Sequence, residues 1–265
     1  MPAPDRYMPG YTPRIVSFMT RRSAETHAAF FLPCLRPGMR LLDCGCGPGS
    51  ITRGLAARVT PGEVIGVDLE ASQLNLARDE PGCPPNLQYV QAGVYDLPFP
   101  DGHFDAVFAH ALFEHIAAPV RAAREICRVL KPGGRVGLCS PDWSGFIFAP
   151  PAAELDGAAQ LFRRIQESHG GNTVAGRNLG RWLVEAGFAT VKLSARYECQ
   201  EDLAVMGDFL YDRLERAPQQ DDIIHKGWVD QATLDRMLLA IRAWEKKPDG
   251  LFALAWVNAI GTKAL

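Results

Sequence analysis

The stretch LLDCGCGPGSITRGLA, Leu41 to Ala56, changes character halfway along. Leu41 to Cys44 is a short apolar run with an acid at Asp43. Gly45, Gly47 and Gly49 follow at a spacing of two, and from Ser50 the apolar residues recur at helical intervals. Strand, glycine turn and helix in immediate succession form the first βα unit of a doubly wound sheet. Glycines there let the chain turn tightly and let its backbone approach a ligand that a Cβ would exclude. A dinucleotide loop reads G-x-G-x-x-G. Here Ser50 stands where the third glycine of that pattern belongs, so the loop is shaped for another ligand.

The rhythm continues downstream. EVIGVD (63–68), LQYVQA (87–92), FDAVFAH (104–110) and RVGLCS (135–140) read as strands, several of them apolar on both faces, as buried parallel strands are. SITRGLAARV, ASQLNLARDE and PVRAAREICRVL read as the helices between them, and KPGG (131–134) as a helix stop. The expected fold is therefore α/β: a Rossmann-like, doubly wound, mostly parallel sheet, seven-stranded once TVKLSARYE (190–198) and GLFALAWVNAIGTKAL (250–265) are added. Two helical insertions interrupt it, at about 143–175 and 201–247. With an N-terminal helical segment, 1–36, they read as a cap on a domain spanning 37–265, because loops this long inside a compact domain usually serve a function.

Composition removes other classes. With 28 basic and 30 acidic side chains and no long Lys/Arg run, nucleic acid is not an expected partner. No stretch reaches the ~20 apolar residues of a membrane span, and the N-terminus lacks a signal-peptide pattern, so a cytoplasmic protein is expected. The seven cysteines are odd in number and mostly embedded in apolar segments, which suits reduced core thiols. Cys44 and Cys46 form a CxC without a second ligand cluster, so no metal is expected.

VQAGVYDLPFPDGHFDAVFAHALFEHI followed by EICRVLKPGGRVGLCSPD, behind LLDCGCGPGS and VIGVDLEASQL, resembles the class I S-adenosylmethionine-dependent methyltransferases. The likeness is strongest to their small-molecule branch related to the ubiquinone/menaquinone methyltransferases, and it covers about Met39 to Asp142. It implies S-adenosyl-L-methionine as cofactor and a role for each matched residue. Asp43 would orient the glycine loop and help hold the cofactor's amino group. The backbone of Gly45, Cys46, Gly47 and Gly49 would lie along the methionine part. Asp68 would bind the ribose diol and Leu69 would pack on the adenine. At the third strand's end the family carries Gly-Asp-Ala where this chain has Ala92, Gly93 and Val94. The adenine edge would then be read by backbone near Gly93 and Val94, with Tyr95 covering the ring. His110 matches the position beside the sulfonium.

Methyl transfer from a sulfonium needs alignment and desolvation, and a base only where the acceptor must lose a proton. His110, His115, Glu114 and Asp142 reach the strand tips. A histidine, His110 or His115, is favoured as the base because its pKa lies near working pH. Each residue also has a purely structural reading: turn glycines, an Asp that caps a helix, hydrogen-bonded core histidines, and Tyr7 and Tyr11 packed on the first helix. Trp143, Phe146 and Phe148 suit either a core or a cap that walls an apolar pocket. No D/N-P-P-Y/F motif follows the fourth strand, which favours a small-molecule acceptor over DNA. Two readings of other classes stay open: a nicotinamide-dependent oxidoreductase, opposed by the glycine spacing, and a non-catalytic nucleoside-binding protein. The aromatic insertions favour an enclosed pocket and are also suited to pairing two copies as a homodimer.

Overall fold

A computed structural model describes residue 11 and residues 13–200 and 202–265; Tyr7, most of the segment before the first helix, and residue 201 lie outside the described residues. The chain starts with helices α1 (Pro13–Thr20) and α2 (Ala24–His27) and continues β1 (Leu41–Cys44), α3 (Ser50–Val59), β2 (Val64–Asp68), α4 (Ala71–Asp79) and β3 (Leu87–Gln91). Then come β4 (Phe104–His110), α5 (Pro119–Val129), β5 (Leu130–Ala149), α6 (Ala153–Ser168), α7 (Ala175–Glu185), β6 (Thr190–Cys199), α8 (Leu203–Asp221), α9 (Gln231–Trp244) and β7 (Leu251–Thr262).

The seven strands form one sheet in the order β3-β2-β1-β4-β5-β7-β6. β1 to β5 pair in parallel, and β7 runs antiparallel to both of its neighbours. The fold is thus the expected α/β sheet. Chain order reverses between β1 and β4, and the crevice at such a switch point is where doubly wound sheets bind ligands.

The apolar residues separate into three cores. Ile51, Leu55 and Val59 of α3 bury one face of the sheet against Leu41, Val64 and Phe108, with Ala24, Ala28 and Phe31 behind them. Ile126 and Val129 of α5 and Leu179 and Leu183 of α7 bury the other face against Leu42, Val107 and Leu138. The third core joins Leu155, Phe162 and Ile165 of α6 and Leu210, Leu214, Ile241 and Trp244 of α8 and α9 to Trp143, Phe148, Phe252 and Trp256 of the sheet.

Two boundaries differ from the sequence reading. KPGG was expected to separate helix from strand, but α5 ends at Val129 and the strand begins at Leu130. The same strand then runs on through Asp142 to Ala149, where an insertion had been expected from about residue 143. The cause is β7, a partner too distant in sequence for local periodicity to reveal. Its pairing with β5 shifts register between Asp142 and Ile147 and resumes at Ile147↔Ala253.

Gly137, paired with Phe108 on one side and Ile260 on the other, faces the buried ring of Phe31, and a Cβ there would lie 2.5 Å from that ring. Gly137→Ala is expected to destabilise the protein by ~1–3 kcal/mol through overpacking, read from the midpoint of urea unfolding.

Candidate active site

At the crevice, Gly45 and Gly47 turn the chain with φ of +72° and +53°, angles that a residue bearing a Cβ adopts only with strain. Gly45 and Cys46 donate their N–H groups to the carbonyl of Val67, at 2.8 and 3.0 Å, which ties the loop to the end of β2. There Asp68 accepts the Gly47 N–H at 2.9 Å on one oxygen and the Glu70 N–H at 2.9 Å on the other. A carboxylate has about four lone-pair sites, so each oxygen keeps capacity for a ligand hydroxyl. Burial raises the Asp68 pKa, while the Glu70 and Gly47 N–H groups favour its charged form. The next residue, Leu69, is 53% exposed, and a Cβ on Gly93 opposite would meet nothing nearer than its Cδ1 at 3.8 Å.

The other expected residues each have neighbours within the protein. Asp43 accepts the Thr52 hydroxyl of α3 on one oxygen at 2.6 Å, and burial pushes its carboxyl up to about 7. Cys46 turns inward toward Gly66, and Gly49 backs onto the Tyr89 hydroxyl. Val94 is buried in the core. Tyr95 accepts the Ala118 N–H on its hydroxyl at 3.0 Å and carries the Arg121 guanidinium over its ring, which places it at the start of α5. Among the described residues no cluster of His, Cys, Asp and Glu is arranged to hold a metal.

α1 closes over this loop. Ser50 donates its hydroxyl to the Met19 carbonyl at 3.1 Å, and a Cβ on Gly47 would lie 2.9 Å from Met19 Cε. Beside Met19, Phe18 enters a cavity of about 630 Å³, a volume that includes the part open to solvent. Its walls are aromatic: Phe18, Trp143, Phe162, Phe209, Phe252 and Trp256. Its polar groups are Arg22, Glu114, His115, Gln166, Glu198 and Gln200.

The two histidines favoured from sequence are both buried. His110 stacks on Trp256 with centroids 4.8 Å apart, meets His27 edge-on at 5.2 Å, and has no hydrogen-bond partner on either ring nitrogen among the described residues. Burial, then the positive charge of Arg22, hold it neutral well below the usual range. His115, whose Nε2 is 3.7 Å from Glu114, is pushed down to about 3 by the same two causes. Glu114 moves the other way. It accepts the Ser140 hydroxyl at 2.9 Å, and burial raises it to about 7. Asp142 is tied to Arg177 at 2.5 Å and to Ser144; these bonds outweigh its burial and hold it low. Glu198, likewise held low against burial by His27 and Arg196, is 3.0 Å from the Arg196 guanidinium.

Residues 42–138 match the profile of the methyltransferase domain. An uncharacterized methyltransferase of Schizosaccharomyces pombe is 33% identical over 245 residues, covering 87% of each chain. The chain belongs to the methyltransferase family. The ubiquinone/menaquinone biosynthesis C-methyltransferase UbiE of Ectopseudomonas mendocina is 43% identical to this methyltransferase over 151 residues, 51% of this chain and 59% of that one. In fold it resembles the phosphoethanolamine N-methyltransferase 2 of Haemonchus contortus, solved with S-adenosyl-L-methionine, at a TM-score of 0.53 and 20% identity over 87% of this chain and 50% of that one.

Sequence reasoning passed over Phe18, Met19 and Arg22. They precede the matched domain, and nothing in the run SFMTRRS distinguishes them from a surface helix. Phe209 and Trp256 reach the cavity only through tertiary packing.

Because Glu114 binds its proton more tightly folded than unfolded, its contribution to stability is present at low pH and is lost as pH rises from about 4.5 toward about 7. Glu114→Gln does not titrate. The variant is therefore expected to gain on the wild type across that window, by on the order of 3 kcal/mol above it, measured as the difference in urea unfolding at the two ends.

Proposed function

We propose that this methyltransferase transfers the methyl group of S-adenosyl-L-methionine to a small, largely apolar acceptor enclosed in the aromatic cavity. The observation that carries this reading is that the glycine loop and the cavity share two walls. Leu112 lies against Gly45 while its neighbour Ala111 lines the cavity, and Met19 lies against Gly47 while its neighbour Phe18 does the same. A donor on the loop and an acceptor in the cavity therefore meet across one turn of chain on each side.

The residues of the crevice fit the donor. Asp68 has lone pairs for a ribose diol, the exposed Leu69 beside it offers an apolar face to the adenine, and Gly45 and Gly47 bring backbone without Cβ atoms to the turn, where Leu112 and Met19 lie against them. Val94 and Tyr95 support the end of β3 from the core and from α5, and Asp43 supports the loop indirectly through Thr52. When bound, the sulfonium supplies a methyl group already activated by positive charge. The protein's own work is alignment and the exclusion of water, which the aromatic walls accomplish. His110, neutral and buried at the end of β4, brings no competing cation to the transfer site. Free cysteines throughout the described chain and the absence of any described helix long and apolar enough to cross a membrane support a cytoplasmic setting.

Asp68→Ala is expected to weaken S-adenosylhomocysteine binding by ~2–3 kcal/mol in calorimetry, since two backbone N–H groups lose their acceptor and the diol loses its partner. Unchanged affinity in a folded variant would remove Asp68 from the donor site. Gly47→Val, strained by its positive φ and driven into Met19, is expected to abolish that binding while circular dichroism stays that of the wild type. Retained binding would show that the loop is only a turn.

A further inference from the structure

Arg22 is a cation of the cavity whose charge reaches Glu198 and Glu114 without a direct ion pair to either. Its guanidinium lies 5.2 Å from the Phe18 ring centroid and 5.9 Å from that of Trp256. Among the described residues it has no carboxylate within ion-pair distance, whereas the nearby Arg196 is paired with Glu198. A half-buried guanidinium held over aromatic rings keeps its in-plane donors for a ligand. Of the cavity's carboxyls, Glu114 on the loop after β4 is the one without a guanidinium ion pair among the described residues, and Arg22 favours its charged form from farther off. Glu198 is occupied by Arg196 and His27, and Asp142, beside the cavity, by Arg177.

Resting on the reading of the cavity as the acceptor site, we infer that the acceptor is an aromatic or similarly flat molecule bearing an acidic hydroxyl, a phenol or enol, with Glu114 taking its proton and Arg22 holding the oxyanion. Three features converge on that class. The walls accept a flat apolar body. The permanent charge of Arg22 repels an ammonium acceptor, and a methylated amine would leave a further cation beside it. An acidic hydroxyl instead ends as an uncharged ether. In the step, the acceptor O–H proton passes to the Glu114 carboxylate, the oxygen's electron pair forms the bond to the methyl carbon, and that carbon's bond to sulfur breaks with its pair left on sulfur. The groups facing Glu114 are Ser140 from β5, His115 on its own loop, Gln166 from α6 and Arg22 ahead of α2. None of the first three carries a charge at neutral pH. Burial raises Glu114 to about 7, where it is half ionised and can both take and release a proton during turnover.

Calorimetry with the full chain, saturated with S-adenosylhomocysteine, tests this with three probes of one skeleton: 2-naphthol, the uncharged and weakly acidic 2-naphthylmethanol, and the cationic 2-naphthylmethylamine. The wild type is expected to bind 2-naphthol roughly tenfold or more tighter than the amine. Arg22→Met, which keeps the apolar stem, is expected to erase that preference, and Arg22→Lys to restore part of it. S-adenosylhomocysteine affinity stays within about twofold in both variants. Affinity for 2-naphthol rises with pH through about 7 in the wild type as Glu114 ionises and becomes a stronger acceptor, and stays flat in Glu114→Gln. An amine bound as tightly as the naphthol overturns the acidic-hydroxyl class while leaving the cavity an acceptor site. Loss of S-adenosylhomocysteine affinity in Arg22→Met, with the naphthol preference intact, also overturns it, because Arg22 then serves a carboxylate of the donor. Binding of none of the three probes fails the cavity reading itself.

Discussion

The antiparallel pairing of β5 with β7 is the constraint on which the rest of the molecule depends. Along its first part, Arg135↔Thr262 to Asp142↔Ala255, it extends the parallel sheet past β4. Beyond the register shift, Ile147↔Ala253 to Ala149↔Leu251 carry the same two strands above the level at which β1, β2 and β4 stop. This extension supplies Phe148 and Phe252, on which α6, α8 and α9 build their own core. Trp244 completes the joint by donating its indole N–H to the Ala149 carbonyl at 3.0 Å. The helical cap is therefore fastened through the sheet's own hydrogen bonds, and a cavity at the joint inherits rigid walls from both sides.

Burial of ionisable groups follows the same geometry. Asp43, His110, Glu114 and His115 all sit at or just beyond the ends of β1 and β4, where the sheet interior meets the crevice. Desolvation drives the acids up and the histidines down. The result reverses the expectation from intrinsic pKa values: a histidine held near 3 is a weak base at neutral pH, and a glutamate near 7 is a competent one. Such placements cost stability, and that cost is ordinarily tolerated where chemistry is done.

The parallel half of the fold was legible in the sequence because its signals are local. The run from Leu41 to Val59 places strand, glycine turn and helix in contiguous residues, and the helices α3, α4 and α5 begin where their apolar periods begin. The junction of the glycine loop with the end of β2 was legible for the same reason, since Gly47 and Asp68 sit at strand ends that those periods define. The extent of β5 was not, because residues 143–149 become strand only by pairing with residues more than a hundred positions away. Nor were the roles of Asp43 and Tyr95, whose partners, Thr52 and the Ala118 N–H, depend on how α3 and α5 lie on the sheet. Phe18 and Arg22 carried no pattern, because what they do follows from the position of α1 and the turn after it.

Phe18 and Met19 are adjacent on one short helix, yet one faces the cavity and the other the glycine loop. Were a molecule on the loop to move α1 in displacing Met19, Phe18 would go with it. The two sites would then be thermodynamically linked: whatever free energy one occupant spends or gains in moving the helix would alter the affinity of the other by the same factor in return. On the proposed reading the donor and acceptor sites would be such a coupled pair, with α1 the element that lies between them.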